Sequence, residues 1–406
     1  MDEWRVSTWG DEISLEYGKG IRDYSRTVGT YRVFGSNGPI GWTSKPISGA
    51  PGVILGRKGA YRGVSFSNEP FYVIDTAYYI QPKTELNMRW IYYAVIYNKL
   101  GEIDDGSPIP STTRSAVYVC DLEVPPILEQ RAIAAILGSL DDKIDLNRRM
   151  NETLETMARA IFKDWFVDFG PTRAKMEGRA PYLSPDVWAL FPDRLDDEGK
   201  PKGWTEESVY DQANWINGAA YKDMYFSDAD GALPVIKIAE LKAGITSTTK
   251  FTDTDLGDRY RVSDGELLFS WSGNPDTSID AFIWTHGPGW LNQHIFAVRP
   301  NGKRSKCFLY FMLRILKPVF AEIARNKQTT GLGHVTQQDL IRLRLWCPDA
   351  AIARAFDEAA QPLYALLKAQ MIQNLELGRM RDLLLPKLMS GEIRIKDAEK
   401  MVETVL

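Results

Sequence analysis

Pro125-Pro126-Ile127-Leu128-Glu129-Gln130-Arg131-Ala132-Ile133 opens a run that reaches about Phe166 without a proline and with Gly138 as its sole glycine. Within it Ile133, Leu137, Leu140, Ile144, Asn147, Asn151, Leu154, Ala158, Ile161 and Trp165 recur in alternating steps of four and three. That spacing is the seam of a coiled coil, and proline suits the first turn of the helix it opens. About 40 residues at 1.5 Å rise make a helix of about 60 Å. Gly170-Pro171 marks its end.

The same helix is written twice. Pro125, Arg131, Ala132, Leu140, Asn151 and Met157 reappear 223 positions later as Pro348, Arg354, Ala355, Leu363, Asn374 and Met380. The second seam runs Phe356, Ala360, Leu363, Leu367, Gln370, Asn374, Leu377, Arg381, Leu384 and Leu388, with 351–385 lying ahead of Pro386 and Gly391 ending the helix. Asn147 and Asn151 in one helix correspond to Gln370 and Asn374 in the other. Polar groups at matching seam positions point to a buried layer that sets helix register at a cost in stability. Each helix closes a block of strand-rich sequence, and the two blocks barely match. In the first, Gly52-Val53-Ile54-Leu55-Gly56 and 71–80 read as strands and 88–100 as a helix. In the second, 234–238, 265–270 and 294–298 read as strands and 308–326 as a helix. Their order is similar: strands, a helix, a polar loop, a last strand, a proline and the long helix. Residues 171–203, rich in Pro, Asp and Gly, read as a linker.

At 406 residues the chain can hold two or three cored domains. Its 44% hydrophobic and 25% charged composition is that of a globular protein. No apolar run is long enough to span a bilayer, and Met1-Asp2-Glu3-Trp4-Arg5 does not begin a signal peptide. Cys120, Cys307 and Cys347 are scattered and form neither a disulfide framework nor a metal spacing, so a reducing cytoplasm is expected. A net charge of −4 argues against coating nucleic acid by bulk charge but leaves local basic patches open.

The chain looks catalytically empty. It has no phosphate-cradling G-x-x-x-x-G-K-[ST] loop, and Asn274-Pro275-Asp276 lacks the second proline and aromatic of a methyltransferase motif. Pro192-Asp193 followed by Glu198-Gly199-Lys200 imitates a metal-nuclease signature but sits in turn-rich sequence. His286, His294 and His334 lie far apart. Nucleic-acid contacts call for Arg, Lys, Asn and Gln at base edges and for basic or hydroxyl side chains at phosphates. The candidates in the first block are Lys19, Arg57, Lys58, Arg62 and the loop carrying Thr112, Thr113 and Arg114. In the second they are Arg259, Arg261, Lys303, Arg304, Lys306 and the loop carrying Gln328, Thr330 and His334. The two loops hold equivalent places before the last strand of each block, which raises them above the other basic residues.

Two stretches resemble the specificity subunits of Type I restriction–modification systems. One is 125–133, continuing through Leu146-Asn147-Arg148-Arg149-Met150-Asn151-Glu152-Thr153-Leu154 to 160–169, and the other is Leu383-Leu384-Leu385-Pro386-Lys387-Leu388-Met389-Ser390-Gly391-Glu392-Ile393. The alternation of variable block and shared helix extends the resemblance over the whole chain. It departs at Asp349-Ala350-Ala351-Ile352, which stands where the family opens its helix with proline and Glu-Gln. The resemblance implies an α+β chain with a pseudo-twofold internal repeat. Two mixed α/β target recognition domains, 1–124 and 204–348, would be separated by an antiparallel two-helix coiled coil of spacer helices 125–169 and 349–390. A linker over 170–203 and a tail over 391–406 complete it.

The implied function is non-catalytic recognition of a bipartite, asymmetric double-stranded DNA site, one half per domain, with the spacer setting the gap. Two modification (methyltransferase) subunits, and optionally two restriction subunits, would dock on the helices. No cofactor or metal is expected here; S-adenosylmethionine, ATP and Mg would belong to the partners. The alternatives from other classes are a DNA-modifying enzyme with a degenerate site and a coiled-coil protein scaffold.

Overall fold

The computed structural model describes residues 4–22, 24–26, 28–104, 106, 110–328 and 332–406. The chain divides into two compact units, Met1–Asp145 with Glu376–Leu406, and Leu146–Leu375. The long helices are Ile127–Phe166 and Ala350–Met389, and each unit contains a stretch of both.

The second helix continues through Pro386 and ends at Met389, just before the stop expected at Gly391. A proline removes one N–H and disturbs one turn. Against that, Leu384, Leu388 and Met389 are buried in the first unit and hold the helix on. Its start is capped by Asp349, whose Oδ1 accepts from the N–H groups of Ala351 (2.9 Å) and Ile352 (3.0 Å). The departure from the family's opening therefore exchanges one helix start for another, since Asp is a strong N-cap.

Among the described residues of the first unit, one antiparallel sheet has the order Ile13–Tyr17, Ala77–Pro82, Gly52–Gly56, Val64–Ser67. A second sheet joins Gly38–Thr43, Tyr31–Gly35 and Phe71–Val73. Arg5–Thr8 pairs with Asp121–Val124, bringing the ends of the block together. The helix Met88–Tyr97, capped by Asn87, packs behind the first sheet. Trp9, Leu15, Tyr93 and Trp90 are buried there with Ile133, Leu137 and Leu140 of one long helix and Leu377, Leu384 and Leu388 of the other. The C-terminal helix Ile395–Glu403 adds Ala398 and Val402 to this core. Two ionic clamps tie the helices in. Arg89 grips both oxygens of Asp142 at 2.8 Å, and Asp141 accepts from Tyr93 Oη (2.7 Å) and Arg381 Nη1 (2.8 Å). In the second unit Phe162 packs on Phe356 while Met150, earlier in the first helix, meets Gln370, later in the second, so the two helices run antiparallel.

The second unit repeats the plan. Its first sheet runs Ala213–Asn217, Ile295–Pro300, Leu267–Ser270, Asp280–Ile283, and Thr205–Ser208 pairs with Arg344–Cys347. The helix Lys306–Asn326, capped by Ser305, takes the place of Met88–Tyr97. Phe162, Trp165, Phe308 and Phe356 form an aromatic cluster, with Phe162 and Phe356 at 5.3 Å, and Leu154, Ala158, Ala360 and Leu367 continue it. Burying a large apolar side chain contributes about 1.5–3 kcal/mol, so this cluster binds the helix pair firmly to its domain. Residues 171–203, read as a linker, carry the helices Gly170–Met176 and Pro185–Leu190. Phe169, just before this segment, and Phe191 within it enter the unit's core, Phe191 against Trp165 at 5.1 Å. A turn-rich composition concealed an anchoring aromatic, Phe191.

Candidate nucleic-acid interface

The strand register brings one set of side chains to the same end of the first sheet. Tyr17 ends its strand opposite Tyr78, and Arg57 follows the strand Gly52–Gly56. The N–H of Thr112 bonds Arg57 O at 2.9 Å, which delivers the short helix Arg114–Tyr118 to the same place. Thr113 caps that helix through the N–H of Ala116. The Arg114 guanidinium lies 4.1 Å from the Tyr17 ring centroid and Arg57 lies 5.2 Å from it. Such contacts hold a cation without neutralising it. Arg57 is anchored to the carbonyl of Asp75 through Nε (3.2 Å) and Nη2 (2.8 Å), and Arg114 pairs loosely with Glu16 at 3.7 Å. Burial, and then the hydrogen bond with Tyr17, push Tyr78 up to about 12, so it stays a neutral phenol donating to Thr112 O at 3.2 Å. Lys19 and Lys58 are exposed, and Lys58 bridges to Ser111.

The other candidates of the first block are structural. Thr112 is fully buried, its hydroxyl donating to Ile103 O at 3.1 Å. Arg62 donates to the carbonyls of Gly59 (2.7 Å), Gly101 (2.9 Å) and Ile103 (3.1 Å), and to Thr112 Oγ1 (3.0 Å). A guanidinium committed to three carbonyls is a loop staple.

In the second unit Arg304 is 8% exposed, donating to Gln212 Oε1 (3.1 Å) and Pro348 O (3.2 Å), and Lys306 donates to Gly265 O at 2.7 Å. Lys303 pairs with Glu207 at 2.8 Å and, with its burial slight, is held above the ordinary lysine range by that bond. Arg259 and Arg261 are exposed and offer their carbonyls to Arg299. All of these lie by the Pro300 end of the strand Ile295–Pro300. His294 and Trp271 stand at the other end, about 17–20 Å away at 3.3 Å per residue. His334 lies at the Trp271 end, paired with Ser272, and Gln328 is exposed after the helix Lys306–Asn326. Thr330 falls outside the described residues.

Residue type alone did not single out Tyr17. Trp271 Nε1 donates to Asn217 Oδ1 at 2.9 Å, and its ring stands 5.0 Å from that of His294, whose φ is +76°. Among the described residues no group of three or more His, Cys, Asp or Glu is placed to hold a metal ion, and no helix is long and apolar enough to cross a membrane.

The family described as the Type I restriction modification DNA specificity domain matches residues 11–156 and 201–377. The specificity subunit of the Type I restriction enzyme MjaIX of Methanocaldococcus jannaschii is 27% identical over 334 residues, 78% of this chain and 72% of that protein. The HindI specificity subunit of Haemophilus influenzae is 26% identical over 380 residues, 79% of this chain and 81% of its own length. The crystal structure of a Type I restriction-modification S subunit from M. genitalium shares the fold with a TM-score of 0.57 at 17% identity, over 95% of this chain and 96% of that one.

Proposed function

This chain belongs to the Type I restriction modification DNA specificity family, and from that premise we propose how it divides the work of reading DNA. It is a non-catalytic DNA sequence-specificity subunit. Domain 1–124 reads one half of a split, asymmetric site and domain 204–348 reads the other. The helices 125–169 and 349–390 set the number of unread bases between them, with 170–203 and 391–406 fastening the helix ends. The observation that carries this reading is the repeat itself: two blocks of unrelated sequence share one set of strand pairings, each closed by the same long helix.

Two methyltransferase subunits dock on equivalent helix surfaces, as an internal repeat allows one chain to imitate a symmetric dimer. Leu146, Met150 and Met157, 45%, 38% and 51% exposed, lie along one face of the first helix and fit such a partner. S-adenosylmethionine is bound by those partners, and ATP and Mg by a restriction subunit where one joins, in the cytoplasm. Asn147, Asn151, Gln370 and Asn374 fix the helix register. The DNA-facing set comprises Lys19, Arg57, Lys58, Thr113 and Arg114 in one domain and Gln328, Thr330 and His334 in the other, with Arg259, Arg261 and Lys303 as more distant phosphate contacts.

Methylation mapping of the complex assembled with its methyltransferase partners tests this. Two short specified sequences separated by a constant run of unspecified bases are expected. Methyl transfer by the isolated chain would support the enzyme reading, and a complex indifferent to DNA sequence would support the scaffold.

A further inference from the structure

The two domains use one backbone and, at one place, different chemistry. Tyr17 ends its strand opposite Tyr78 as Asn217 ends its strand opposite Phe296. Arg57 follows Gly56 as Trp271 follows Ser270. Thr112 N–H bonds Arg57 O at 2.9 Å, and Val335 N–H bonds Trp271 O at 2.8 Å. Thr113 and Thr336 each cap the short helix that follows, which opens with Arg114 in one domain and Gln337 in the other. The bridges Lys58–Ser111 and Ser272–His334 also correspond. Even the glycines repeat: a Cβ on Gly18 or on Gly218 would lie 2.0 Å from the carbonyl oxygen of Ile74 or Asn292.

Inward-facing positions of these sheets stay apolar in both domains, as with Val53 and Leu267, or Leu55 and Phe269. The three positions at the sheet end change class instead, from Tyr, Arg and Arg to Asn, Trp and Gln. Tyr17 is 47% exposed, and Asn217 and Gln337 are exposed. Packing does not require this change, because the backbone beneath it is kept. A pair of domains that share a scaffold and read different sequences must differ where they touch bases.

We propose that these positions are the base-reading centres: Tyr17, Arg57 and Arg114 in the first domain, Asn217, Trp271 and Gln337 in the second. This rests on the one-domain-per-half reading above. The first centre presents the guanidinium fork of Arg114 against the tyrosine rings, with Arg57, whose Nε and Nη2 bond Asp75 O, as a second cation beside it. The Arg114 Nε is buried with no hydrogen-bond partner among the described residues. Forked donors of this kind match the O6 and N7 acceptors of guanine. The second centre presents amides, one oriented by the indole N–H of Trp271. An amide pairs with N6 and N7 of adenine. The first half-site therefore contains a guanine read by Arg114 and the second an adenine read by Asn217.

The test uses the full chain in complex with its methyltransferase partners and a panel of duplexes in which each base pair of the mapped site is changed singly. Arg114→Lys keeps the charge and loses the fork. Asn217→Asp keeps the shape and the acceptor for Trp271 and loses the donor. Arg114→Lys should lose about ten- to a hundredfold discrimination at one guanine of one half-site, the range of a bidentate contact, with the salt dependence of binding unchanged. Asn217→Asp should do the same at one adenine of the other half. Discrimination retained at every position by both variants, or weakening spread evenly over all sequences, would overturn the assignment. A wild-type complex with no two-part site would instead sink the reading beneath it, so the two failures are distinct.

Discussion

Asn147 Nδ2 donates to Asn374 Oδ1 at 2.9 Å, and at the same distance to Gln373 Oε1. In the repeat, Asn147 corresponds to Gln370 and Asn374 to Asn151, so Gln370 and Asn151 form the mirrored pair. There the amide oxygens of both residues are buried with no hydrogen-bond partner among the described residues, and Gln370 Nε2 turns to Met150 Sδ. The two mirrored pairs differ by a single methylene, and the third member of the layer is Gln373 on the bonded side and Met150 on the other.

This asymmetry predicts opposite responses to leucine. Asn147→Leu removes the shared donor of two acceptors and should cost about 1–3 kcal/mol. Gln370→Leu removes a buried, unbonded oxygen whose amide meets only a weak sulfur acceptor, and should be neutral or stabilising. Urea denaturation midpoints of the two variants decide the matter. Equal losses would mean that the layer is symmetric in solution.

The paired glycines make a second prediction. Gly18→Ala and Gly218→Ala each drive a methyl group into a backbone carbonyl that cannot move without shifting its sheet. Each should destabilise by about 1–3 kcal/mol, the range of overpacking. The damage should be local. Hydrogen exchange should quicken in 13–17 and 77–82 for Gly18→Ala, and in 213–217 and 295–300 for Gly218→Ala. Loss of protection in both sets from either single variant would contradict two independently built sheets.

The long helices and their register with each other are readable from a single sequence because heptads are local and the 223-residue offset is constant along them. The same offset continues through Ser111–Arg114 and His334–Gln337, which is why the two polar loops stand out as equivalent. The rest of each centre escapes that offset. Tyr17 meets Asn217 and Arg57 meets Trp271 only after strands are paired, because the loops between them differ in length. Arg62 and Arg304 resemble DNA contacts in sequence for a related reason. Their partners include the backbone carbonyls of Gly101 and Ile103 for Arg62 and of Pro348 for Arg304, far along the chain, which residue type cannot reveal.

Acid should find a particular weak point. Glu12 is 1% exposed and accepts from Arg5 Nη2 (3.0 Å), Ser7 and Thr84. The bond from Arg5 leads in holding its carboxyl at about 2, against the opposing effect of burial. A carboxyl depressed in the folded state stabilises fully above its unfolded value near 4.5, and the contribution fades as pH falls from there through about 2. With Arg5 itself half exposed, about 2–3 kcal/mol is a reasonable size. Glu12→Gln places here the amide that Gln212 supplies at the matching position of the second domain. The variant should be less stable than wild type at pH 7 and should lose less between pH 5 and pH 3. Parallel curves for the two proteins across that interval would rule Glu12 out as the acid-sensitive group.

The paired helices should act as the ruler. Insertions must oppose one another to keep existing contacts, and the register fixes where. Asn147 faces Asn374, and Met150 faces Gln370, so Arg149 lies opposite Ile372. Seven residues added after Arg149 and seven after Ile372 leave Asn147 with Asn374 on one side of the new segment. They leave Met150 and Asn151 with Gln370 on the other, and the seam continues in phase. Each helix grows by about 10 Å, close to three base-pair steps of roughly 3.4 Å. The bases read by each domain should stay the same, because neither domain is altered, while the unread bases between them increase by about three. Insertion in one helix alone breaks every pair beyond it and should abolish folding or activity. Methylation mapping of the doubly extended complex reads the gap directly. A folded, active complex with an unchanged gap would mean that the methyltransferase subunits, not the helices, set the distance between the half-sites.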